Sequence, residues 1–127
     1  MKGRSLITVI GIAALAAAGA ALADEHAGHH DAKADTVQGE VLDLACYIGH
    51  GGEGAGHAGC AAKCLQGGQP MGLLAKDGAV YVLLADHDDA APYEKTKTFA
   101  GKKVEITGEV GAKNGIKGIT VHGVKAL

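Results

Sequence analysis

All three cysteines of this 127-residue chain, Cys46, Cys60 and Cys64, fall within residues 44–70. Between the first two lies a glycine-rich loop, Gly49-His50-Gly51-Gly52-Glu53-Gly54-Ala55-Gly56, followed by His57-Ala58-Gly59-Cys60-Ala61-Ala62-Lys63-Cys64-Leu65. A helix read from His57 places residues 57, 60 and 64 on one face by the i, i+3, i+7 rule, so one imidazole and two thiols point the same way. Ala58, Ala61, Ala62 and Leu65 form a neighbouring small apolar stripe, suited to packing on a sheet. Gly67-Gly68 and then Pro70 end this helix. Cys46 arrives from the preceding segment, so the three sulfurs meet only if the fold joins two separate pieces of chain.

Around this stretch the pattern is that of strands. Residues 36–47 predict a first strand, with Val37 and Val41 on one parity and Leu42, Leu44 and Cys46 on the other. That slip near Val41 predicts a bulge or a strong bend. With Leu42 and Leu44 facing inward, Cys46 starts on the core side. Residues 71–75 and 79–85 are two apolar strands joined by Lys76-Asp77-Gly78, a hairpin signal. Residues 86–91 are acidic and loop-like, Pro92 opens a helix that residues 93–99 continue, and Gly101 ends it. Val104, Ile106 and Val110 alternate with Glu105, Thr107 and Glu109 as a half-buried strand, Asn114-Gly115 turns the chain, and residues 116–124 return as the last strand. The expected fold is all-β with minor α: a five-stranded OB-fold-like Greek-key barrel, with a Cys/His-bearing helical insertion between strands 1 and 2.

The ends suggest an exported protein. Lys2 and Arg4 precede a short apolar run, and Ala21-Leu22-Ala23 is a small-residue cleavage site, so residues 1–23 read as a signal peptide. The run is too short and alanine-rich for a membrane anchor. Residues 24–35 read as a disordered, histidine-bearing leader, and 36–127 as the domain. A cut after Ala23 would place a free amine on Asp24, the Glu25 amide next, and the His26 imidazole third, a nitrogen set with the square-planar geometry of Cu(II) or Ni(II). The formal net charge of −2 offers nothing to a phosphate backbone. With no tryptophan and few other aromatics, stacking of bases is not expected either. A domain this small is marginal without a metal or disulfide staple.

The pattern Cys46-Tyr47, His57-x-x-Cys60-Ala61-x-x-Cys64, Gly68-x-Pro70 resembles that of small bacterial periplasmic OB-fold proteins. Residues 99–110 and 118–122 likewise resemble the last hairpin of exported proteins of that fold. The resemblance spans nearly the whole mature chain; it implies a fold and a periplasmic or secreted location, and no activity.

From the residues themselves, Cys46, His57, Cys60 and Cys64 form a three-sulfur, one-nitrogen set suited to Zn(II) or, with fewer ligands engaged, Cu(I). Residues 57 and 64 lie about 10 Å apart along a helix rising about 1.5 Å per residue, so the ligand sets are Cys46, Cys60 and Cys64, or Cys46, His57 and Cys60. His50 and Met71 are secondary candidates. Copper stands ahead of zinc, because thiols favour Cu(I) and the leader can hold Cu(II). The alternatives are a structural disulfide, typically worth about 2–4 kcal/mol, and thiol–disulfide exchange using the odd cysteine. No C-x-x-C, C-x-x-C-H or hydrolytic motif is present, so no enzyme class is indicated. The expected partners are a metal ion and another periplasmic metal-handling or redox protein, with no nucleic acid and no stable membrane anchor.

Overall fold

The computed structural model describes residues 34–127. The expected signal peptide, residues 24–33 of the expected leader, and the expected site at Asp24, Glu25 and His26 lie outside the described residues. The elements run β1 (Asp35–Asp43), α1 (Leu44–His50), α2 (Ala58–Gln66), β2 (Met71–Ala75), β3 (Val80–Ala85), α3 (Ala91–Thr96) with a 3₁₀ turn over Lys97–Phe99, β4 (Lys103–Lys113) and β5 (Ile116–Ala126). The strands close into a barrel in the order β1-β2-β3-β5-β4, with β4 returning to β1. All neighbours are antiparallel except β3 and β5, which pair in parallel from Val82↔Gly118 to Ala85↔Val121. This is the OB-fold arrangement, with α3 between β3 and β4 and the two cysteine-bearing helices between β1 and β2.

The core takes Val41, Met71, Leu73, Leu83, Val104, Ile106, Ile119 and Val121 from the strands, Ala61 and Leu65 from α2, and Ala100. Alternation along β4 produces its share: Val104, Ile106 and Gly108 are buried, while Glu105 and Thr107 are half-buried between them. The pairing of β4 with β1 ends at Asp35↔Gly108. Beyond it β4 pairs with β5 alone, β5 keeps β3 on its other edge as far as Gly118, and the last pairs before the turn at Asn114 and Gly115 stand as a two-stranded ribbon. Val110, expected on the half-buried face, lies past the end of the β1 pairing and is exposed.

Three expectations for the first strand are corrected. The strand ends at Asp43, and Leu44 to His50 turn into α1, because Pro70 stands where the β1–β2 ladder would continue. It accepts the Leu44 N–H through its carbonyl at 2.9 Å but has no N–H to return. The inward parity is that of Val37 and Val41, whereas Leu42 and Leu44 are buried outside the core cluster, with Leu44 packed over Gly72. Gly39 sits between the two valines, where a β-carbon would collide with the Leu74 carbonyl, so the inward set contains a residue that contributes no apolar signal. No register shift occurs near Val41; the irregularity lies at Thr107/Gly108, where Gly108 pairs with Val121 after Thr107 has paired with Gly123. The extra residue is His122. A bulge re-aims a side chain, and here the His122 imidazole reaches Asp86, with Nε2 3.0 Å from Oδ2.

Candidate metal centre

The site is built where β1 stops. Asp43 caps α1: its Oδ1 accepts the Ala45 N–H at 3.0 Å, satisfying one of the donors a helix start leaves unpaired. The helix carries Cys46 and closes at Gly51, whose φ of 71° is left-handed and whose N–H donates to Tyr47 O at 2.9 Å. The glycine loop that follows is tied back to the barrel by the Gly54 N–H, which donates to Glu40 Oε1 on β1. His57 sits at the start of α2, its carbonyl accepting the N–H groups of Cys60 and Ala61 at 3.0 Å each. α2 buries Ala61 and Leu65 against the barrel and leaves Cys60 exposed and Cys64 half-buried on the adjoining face. Its first turn rests on Gly101, where a β-carbon would fall 2.6 Å from that of Ala58.

These elements bring donor atoms together as two sets of three. Cys46, His57 and Cys60 form one set and Asp43, Cys46 and Cys64 the other; within each set the donor atoms lie within 4.8 Å of one another. Cys46 belongs to both. The first set is one of the two combinations that helix geometry predicts. In the other, Cys64 turns to Cys46 and Asp43 instead of grouping with Cys60. All three cysteines are free thiols.

The surroundings of these donors are unusual. Asp43 is fully buried, and its Oδ2 has no hydrogen-bond partner; the Nε2 of His57 is likewise buried and unpartnered. Among the described residues these are the buried side-chain polar atoms left without a partner, and both belong to the cluster. Burial raises the Asp43 carboxyl pKa, but the Cys46 and Cys64 thiols and the Ala45 and Cys46 N–H groups outweigh it and hold the carboxyl below its usual range. The same carboxylate, followed by burial, pushes the Cys46 thiol up to about 12 and raises Cys64. The His57 ring is seated against backbone: a β-carbon on Gly52 would lie 2.6 Å from Nε2.

His50, the last residue of α1, is exposed and meets His57 edge to face, with 5.6 Å between ring centroids. Met71 is buried in the barrel core, paired across the ladder with Asp43. Asp43 was not among the residues read as ligands. The available signal was an aspartate three residues before Cys46, the position of a helix cap, hidden by an alternation that read as continuing strand. Comparisons of this chain with protein families, with curated proteins and with solved structures find no match.

Proposed function

We propose that this chain is an exported metal-binding domain that takes a soft or borderline ion, Cu(I) ahead of Zn(II), at Cys46, His57 and Cys60. The carrying observation is the convergence of two thiols and an imidazole to within 4.8 Å from two helices. Two thiolates and one nitrogen satisfy Cu(I), which accepts few soft ligands, whereas a structural zinc site is closed by four. Cys60 is exposed, so the ion would be reachable by an incoming ligand and could be handed on. Export rests on residues 1–23, and a mature amino terminus at Asp24, read by mass, would test it.

Thiol–disulfide exchange is the second reading, favoured by Cys46 lying within 4.8 Å of donor atoms on both other cysteines. It asks for a reactive thiol with a second one in reach to resolve the mixed disulfide, and Cys60, exposed near the start of α2, is the candidate. Anaerobic titration of the reduced chain with Cu(I) against a chromogenic chelator separates the two. Tight uptake of one equivalent, weakened at least about 10-fold by His57→Ala or Cys60→Ser, is expected for a metal site. Failure to retain either Cu(I) or Zn(II), together with thiols that cycle reversibly with glutathione, would sink the metal reading in favour of exchange.

A further inference from the structure

We propose that Asp43, Cys46 and Cys64 form a second metal position, fit for Zn(II), that shares the Cys46 thiolate with the ion at Cys46, His57 and Cys60. The inference rests on that first site, since Cys46 is the ligand common to both. The donors converge as two threes with one member shared, so two ions joined through one sulfur use all five. Thiolates bridge in this way because sulfur keeps lone pairs after binding one ion.

Asp43 carries the assignment. It is a carboxylate with no exposed surface, and one of its oxygens is committed to the α1 cap. The other, Oδ2, has no hydrogen-bond partner, although buried charged oxygens are ordinarily paired or bound to a metal. The two thiols are its close neighbours. An oxygen with two sulfurs also selects the ion: Zn(II) accepts carboxylate and thiolate together and would take a water as its fourth ligand, as zinc does wherever a protein supplies three, whereas Cu(I) favours the softer set that contains His57. The inner position is thus chemically distinct from the outer one. Filling it expels the Cys64 thiol proton to solvent, Cys46 having lost its own to the first ion.

The reduced chain, loaded anaerobically with one equivalent of Cu(I) and then titrated with Zn(II) alone, is weighed by native mass spectrometry. The expected product carries one copper and one zinc more tightly held than any zinc on the leader histidines. Asp43→Asn keeps an oxygen to accept the Ala45 N–H, and should keep the copper and lose this zinc. Cys64→Ser should do the same, providing a second reading if the buried Asp43 change unfolds the chain, and Cys46→Ser should lose both ions. The leader histidines are present in every variant, so their contribution cancels. Zinc uptake by Asp43→Asn or Cys64→Ser equal to that of the parent, or no zinc uptake by the copper-loaded parent, overturns the second position. A chain that takes no Cu(I) at the first step overturns the outer site and the shared thiolate together, before zinc is added.

Discussion

At the scale of single residues, the site is decided by two that carry no sulfur. Asp43 ends a strand, caps a helix and faces two thiols with the same carboxylate. Gly52 leaves room for the His57 ring, which a β-carbon would meet at 2.6 Å from Nε2. Gly52→Ala should therefore displace the imidazole and weaken Cu(I) binding by about 10- to 100-fold, the usual effect of disturbing a group that orients a ligand. A chelator competition against the parent checks this, and unchanged affinity would show that His57 is not engaged. The three cysteines and His57 were legible in the sequence because thiols and imidazoles at helical spacing have few other uses. Asp43 was not, since an aspartate inside an apparently continuing strand reads as its outward face until the break in the ladder at Pro70 is known.

At the scale of elements, α2 has two jobs on neighbouring faces. Ala61 and Leu65 enter the barrel core while Cys60 and Cys64 face the loop and α1. Leu65 is fully buried, so Leu65→Ala should cost about 2–5 kcal/mol through lost burial and a cavity. Denaturant unfolding measures that cost; a loss well below it would mean that α2 is only loosely docked. The helix, both glycine-turn hairpins and the last two strands were legible from periodicity and turn chemistry. The first strand misled because Gly39 occupies an inward position without apolar weight, while Leu42 and Leu44 are buried away from the main core. Hydrophobic parity registers burial, not which side of a curved sheet provides it.

At the scale of the molecule, the order of elements implied the barrel, but closure depends on pairings between distant strands that no local pattern displays. One consequence of closure is the Asp86–His122 contact, which joins the end of β3 to the bulge in β5. Asp86 is held below its usual pKa chiefly by the Asp88 N–H, with His122 adding to it. A carboxyl lowered on folding stabilises the native state fully above its unfolded value of 3.8, and that contribution fades as pH falls through the lower native value. Asp86→Asn should then be less stable than the parent near neutral pH, with the gap closing well below pH 3.8. Parallel denaturant curves at the two conditions check the sign.

Leu65 also ties the occupancy of the loop to the melting of the barrel, since the helix that holds two sulfurs cannot leave without opening the core. An ion that binds only the folded chain raises its stability by about 2.7 kcal/mol at a hundredfold excess over the dissociation constant. Loaded and stripped protein should accordingly part company on heating, and a protease that cuts only opened chains would destroy the stripped form first. On the proposed reading, a cell would in this way keep the chains that hold an ion and clear those that do not, with no sensor beyond the fold itself.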